Sequence, residues 1–194
     1  MITYAKRRIM LEDYYNTLRN QPSDINEHLP VLRSYAKECD HITEMGVRWI
    51  TSTFAFLVAN PKTLISIDKQ HPTNWPVGNT RWGALNEFVE ASDTDFTFIQ
   101  ADTHDIEIDE TDFLFIDTWH VYDCLKVELE KHGNKARKYL GFHDTTSFAK
   151  NGETQGYEGI WRAIEEFLAD NPHWQIKERR YNNNGLTILE RKWD

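Results

Sequence analysis

Apolar positions along the chain follow two rhythms. Up to about residue 38 they keep helical spacing: Asp24 and Glu27 stand at capping-box distance, and Ile25, Leu29, Leu32, Tyr35 and Ala36 recur on one face. Pro30 fits only a first helical turn, so a helix boundary is expected beside it. From residue 41 short apolar runs alternate with amphipathic stretches. Residues 41–45, 64–68, 96–99, 113–117 and 139–143 read as strands. Residues 52–58, the stretch marked by Trp82, Leu85, Phe88 and Val89, and the one marked by Tyr122, Leu125 and Leu129 read as the helices between them. Ile160, Trp161, Ile164, Phe167 and Leu168 predict a further helix. Residues 174–180 and 186–190, joined through Asn182-Asn183-Asn184-Gly185, predict a hairpin. Strands alternating with helices imply an α/β, doubly wound, mainly parallel sheet of seven strands ending in an antiparallel hairpin. The expected domain is one, residues 1–194, with an N-terminal helical segment (1–38) ahead of the core (39–194).

Composition narrows the classes. Hydrophobic residues make up 40% and charged residues 27% of 194, an ordinary globular balance. The formal net charge of −9 repels a phosphate backbone, and the basic clusters at 6–8, 135–138 and 177–180 are small, so no nucleic-acid partner is expected. No signal peptide and no membrane-spanning run is read, so no membrane partner is expected. Cys39 and Cys124 are too few for a disulfide framework; both are expected reduced, which fits the cytoplasm.

In such sheets ligands gather at the carboxyl ends of the strands. The first strand runs into Glu44-Met45-Gly46 and then Thr51-Ser52, where a glycine turn opens a helix whose free N–H groups suit an anion. GxGxxG is absent, which argues against a nicotinamide or flavin enzyme. Asp68 ends the second strand and either accepts from the ribose hydroxyls of an adenosine-type cofactor or caps a turn. Asp102 follows the third and either accepts from an adenine amino group or caps a turn. The fourth and fifth strands end in Asp117-Thr118-Trp119-His120 and His143-Asp144-Thr145, and adjacent strands would bring both pairs together. Carboxylates with imidazoles can hold a divalent cation; equally, both aspartates can cap turns while the histidines pack.

Together these residues resemble the class I S-adenosylmethionine-dependent methyltransferases. The likeness is closest to the small branch with cephalosporin-hydroxylase-like and sugar or macrolide O-methyltransferases, and it covers about residues 40–190. Glu44-x-Gly46 resembles the first cofactor motif. Residues 116–122 resemble the branch's I-D-x-x-H-x-Y segment, and residues 141–145 its G-x-x-x-H-D strand end. The resemblance implies a Rossmann-like fold and S-adenosylmethionine as cofactor, contacted by Glu44, Gly46, Thr51, Ser52, Asp68, Asp102 and Asp117. It further implies catalysis by Asp117, His120, His143 and Asp144, and methyl transfer to a hydroxyl of a small molecule or glycan. Two departures stand out: Ile50 replaces a frequent second glycine of the turn, and His143 occupies a place where metal-dependent relatives carry an acidic or amide residue. Mg2+ or another divalent cation on Asp117 and Asp144 is one route to deprotonation; His120 or His143 as base is the other.

Residues 146–157, polar and carrying Gly152 and Gly156, are read either as a lid or as a plain surface loop. Trp49, Trp75, Trp82 and Trp119 are candidates for lining the pocket, one or two of them touching ligand. The short N-terminal segment fits either an open site for a bulky acceptor, such as a glycan or peptide, or a homo-oligomer whose second subunit completes the pocket. The rival functions are a metal-dependent hydrolase and a methyltransferase-fold binding module or hydroxylase relative.

Overall fold

The computed structural model describes residues 3–90 and 92–192. Along them run helices α1 (Tyr4–Asn20), α2 (Leu29–Ala36), α3 (Thr51–Ala59), α4 (Pro76–Val89), α5 (Tyr122–His132) and α6 (Trp161–Asp170). The strands are β1 (His41–Met45), β2 (Thr63–Asp68), β3 (Asp95–Gln100), β4 (Thr111–Ile116), β5 (Ala136–His143), β6 (Trp174–Arg180) and β7 (Leu186–Arg191). They form one sheet in the order β3-β2-β1-β4-β5-β7-β6. The first five are parallel, and β7 runs antiparallel between β5 and β6. Strand order reverses between β1 and β4, which pair from Ile42↔Phe113 to Met45↔Ile116. A crevice therefore opens beyond their carboxyl ends.

The period-two alternation explains why β4 is central. Phe113 and Phe115 point to the face where Phe56 of α3 meets them, with ring centroids 5.7 and 5.5 Å apart. Leu114 and Ile116 point to the opposite face and join Leu125, Leu129, Ile164 and Phe167 of α5 and α6. All six residues of β4 are buried, as a strand covered on both sides requires.

Two local expectations change. Asp24 does not cap a helix: Ser23 Oγ accepts from the N–H groups of Ile25 (3.4 Å) and Asn26 (3.0 Å), opening a 3-10 turn over Asn26–His28. Asp24 instead lies 3.6 Å from Arg48. The fourth strand ends at Ile116; Asp117 lies just past the ladder, its N–H donating to the Met45 carbonyl at 2.8 Å. No described helix is long and apolar enough to cross a membrane.

Candidate functional site: a groove across the ends of β1, β2, β4 and β5

The turn after β1 forms the groove's floor. Gly46 has φ +83°, and a Cβ built there would stand 2.0 Å from the Asp117 carbonyl oxygen. Only a residue without a side chain lets this turn press against the end of β4. Asp68 Oδ2 accepts from the N–H groups of Val47 (2.8 Å) and Arg48 (2.9 Å), while Oδ1 accepts from Gln70 N–H at 2.8 Å. Arg81 of α4 donates to the Trp49 carbonyl (3.0 Å) and to Thr51 Oγ1 (2.6 Å). Asp68 thus braces the turn in addition to facing the groove.

Ile50 is left-handed at φ 60° with its side chain fully buried. That backbone costs a branched residue about 1–2 kcal/mol, which burying the side chain, worth about 1.5–3 kcal/mol, offsets. Ile50→Gly is therefore expected to destabilise by no more than Ile50→Ala, although it removes more atoms, because alanine keeps the strain and loses the packing. Urea midpoints of the two variants check this order; a clearly less stable glycine variant would show that the strain is small.

Glu44 is not in direct reach of a ligand. It is fully buried and accepts from Ser52 Oγ, from Thr53 Oγ1 at 2.7 Å and from Ser66 Oγ at 2.9 Å. Its part is to tie the start of α3 to β2 beneath the turn. Ser52 donates to it and also lines the groove, which Thr51 borders as well. Burial pushes the Glu44 carboxyl up to about 7 against the three hydroxyl donors, which lower it. A folded-state value above the ordinary one means stability is greatest below about 4.5 and is lost as pH rises through about 7. Glu44→Gln is expected to flatten stability over that window, a difference on the order of 3 kcal/mol at pH 8. Urea titrations at pH 5 and 8 measure it.

Above this floor lie two adjoining cavities. The larger, about 510 Å³, runs past Asp68, Lys69, Asp102, Trp119 and Cys124. The smaller, about 320 Å³, is bordered by Asp24, Trp49, Ser52, His120 and Asp144. Gly46, Arg48, Trp75, Asp117, Thr118 and Glu153 border both, so the two form one groove. Their sizes fall in the usual range for small-molecule sites. Asp102 is paired with Lys69 at 2.6 Å and accepts from His104 N–H at 3.1 Å. Three of the four candidate tryptophans reach the groove; Trp82 packs against His71 and Phe98 instead. The Cys124 thiol, pushed up to about 12 by burial, is no thiolate nucleophile.

At the far end Asp117, His120, His143 and Asp144 do converge. His120 Nε2 lies 3.1 Å from Asp117 Oδ1 and 3.1 Å from Asp144 Oδ2. His143 Nδ1 lies 3.4 and 3.2 Å from the same two oxygens. The imidazoles differ in place: His120 borders the cavity, whereas His143 is 2% exposed beneath it. His143 is thus not placed to take a proton from a substrate. Its Nε2 faces the Asn183 carbonyl at 3.3 Å, and the His28 ring packs edge-on at 5.5 Å. Burial opposes charging His143, but Asp117 and Asp144 overcome it and push the imidazole up to about 10. Burial likewise opposes charging Asp117, yet His143 and His120 hold it well below the carboxylate range. His120 is raised by the same carboxylates against its burial. Asp144 takes a left-handed backbone, φ 59°, and its Oδ1 is buried without a hydrogen-bond partner among the described residues.

Sequence reasoning missed Glu153. Its Oε2 lies 3.1 Å from His120 Nδ1, and its N–H donates to the His120 carbonyl at 3.0 Å. The segment that carries it is fastened back on the site: Trp119 Nε1 donates to Thr154 Oγ1 at 3.2 Å, and Gly152 N–H to the Tyr157 carbonyl at 2.9 Å. A glutamate in a polar loop leaves no pattern from which this could be read.

No family model and no curated protein matches the sequence. Solved structures match across nearly the whole chain. A protein from Corynebacterium glutamicum is 14% identical at TM-score 0.67, covering 98% of this chain and 90% of its own. An O-methyltransferase from Bacillus cereus in complex with SAH is 11% identical at TM-score 0.61, with 96% and 90% covered. The 1,6-didemethyltoxoflavin-N1-methyltransferase of Burkholderia thailandensis, with bound S-adenosylhomocysteine, is 14% identical at TM-score 0.61, with 96% and 87% covered. The chain has the Rossmann-like fold of class I methyltransferases.

Proposed function

We propose that the protein is an S-adenosylmethionine-dependent methyltransferase acting on a hydroxyl of a small molecule or glycan in the cytoplasm. The observation that carries this is the single groove joining the Gly46 turn and Asp68 to the cluster of Asp117, His120 and Asp144. Two of the neighbours named above, methyltransferases solved with S-adenosylhomocysteine, support the methyl-transfer part of this reading.

In this reading the adenosine part of the cofactor occupies the larger cavity. Asp68 Oδ1, which accepts one hydrogen bond from Gln70, has a lone pair left for a ribose hydroxyl. Asp102 stands on the adenine side, and the Gly46 turn with Ser52 takes the methionine part. Asp117 and His120 would stand on the side to which the cofactor supplies its methyl group, and holding the acceptor oxygen there would contribute much of the rate.

The cluster also fits a divalent cation. Asp117, His120 and Asp144 offer ligand atoms within 4.8 Å of one another, and Asp144 keeps a buried oxygen without a partner among the described residues. The 3.1 Å edges match the spacing of about 3 Å between neighbouring ligands of a metal some 2.1 Å away. A cation there would supply Lewis-acid polarisation of the acceptor oxygen. His143 braces both carboxylates from below, and the buried floor excludes water behind them.

The test is transfer of labelled methyl from the cofactor to a panel of hydroxyl, amine and thiol acceptors. Label is expected on oxygen and lost in chelator. Label on nitrogen, or transfer indifferent to chelator, would overturn the hydroxyl or the cation part respectively. Chelator-sensitive phosphoester hydrolysis without methyl transfer would favour a hydrolase.

A further inference from the structure

We propose that Glu153 is a positioning residue that holds the proton of His120 on Nδ1, so that Nε2 completes, with Asp117 and Asp144, a mixed nitrogen–oxygen site for a first-row transition cation in preference to Mg2+. This rests on the cation reading of the cluster.

One imidazole here meets three carboxylates: Nε2 lies 3.1 Å from each of two, and Nδ1 3.1 Å from Glu153. In metal-free protein an Nε2–H donates toward these two oxygens; a cation bound between Asp117, Asp144 and Nε2 would take that proton's place, and Asp144 Oδ1, buried and without a partner among the described residues, adds acceptor capacity. Histidines that ligate metals through one nitrogen usually donate the other N–H to a carboxylate, which fixes the tautomer and ring plane. Glu153 occupies that second position, and Phe148, stacked on His120 at 5.2 Å and 18°, holds the plane from one side. An imidazole among the ligands favours later first-row ions over Mg2+, which takes oxygens.

The Glu153 side chain is 49% exposed, and its segment is fastened through backbone and neighbouring groups, so its replacement leaves the fold intact. The probe is Co2+, followed by its visible absorption, with melting curves as a control on folding. Wild type is expected to bind one Co2+ that about 100-fold excess Mg2+ does not displace. Glu153→Ala should weaken Co2+ by about 10- to 100-fold, while Glu153→Gln, which keeps an acceptor for Nδ1–H, stays within a few-fold of wild type. Equal Co2+ affinity in Glu153→Ala, displacement by Mg2+, or no Co2+ binding by wild type overturns the proposal. S-adenosylhomocysteine is titrated in parallel: if it binds and Co2+ does not, this proposal alone fails, and if it does not bind, the methyl-transfer reading falls as well.

Discussion

Gly46→Ala is expected to abolish binding of S-adenosylhomocysteine and to destabilise the protein by roughly 3–5 kcal/mol, from a strained left-handed backbone plus overpacking. The added Cβ would stand 2.0 Å from the Asp117 carbonyl oxygen and 2.5 Å from its carbon. Both belong to backbone, so no side chain can rotate away. The turn must lift from β4, which breaks the 2.9 Å bond from Gly46 N–H to the Ile67 carbonyl and shifts the Val47 and Arg48 amides off Asp68. One methyl group therefore disturbs three strand ends. Calorimetric titration and urea unfolding measure the two effects, and a variant of wild-type affinity would mean that the turn is not where the cofactor lies.

The second large effect is expected at Asp117. Its carboxylate is within 3.4 Å of both imidazoles, one of them deeply buried. Asp117→Ala should eliminate methyl transfer and, in metal-free protein at pH 7, remove about 3–5 kcal/mol of stability, since it strands a buried charge. His143 is pushed up to about 10 and Asp117 is held below its ordinary 3.8, so the pair's contribution is complete between about 3.8 and 6.5, is lost as pH rises through about 10, and declines in acid. The deficit of the variant should shrink as that contribution is lost. Asp117→Asn combined with His143→Gln should recover much of the stability and none of the transfer, which separates the structural from the chemical role. Unfolding at pH 7 and pH 10.5 reads the first, labelled-methyl transfer the second. No deficit at pH 7 would show that the cluster is not held together by charge.

Much of this was legible because period and position carry it. The unbroken apolar run of β4 reads as a strand buried on both faces, and the strand ends at Gly46, Asp68 and Asp117 mark the rim of the groove. Convergence of Asp117, His120, His143 and Asp144 followed from β4 and β5 being neighbours. Which way a side chain points did not. Glu44 and His143 sit in the expected places yet face inward, toward hydroxyls of α3 and β2 and toward the turn at Asn183. Asp68 spends hydrogen bonds on its neighbouring turn, a use that residue type cannot distinguish from ribose binding. Glu153 was invisible because its partner lies 33 residues away across a loop with no periodicity.

If the groove over Gly46, Asp68 and Asp117 receives S-adenosylmethionine, calorimetric titration of S-adenosylhomocysteine should find one molecule bound per chain by wild type and none by Gly46→Ala. Absence of binding to wild type, or equal binding to both, would contradict it.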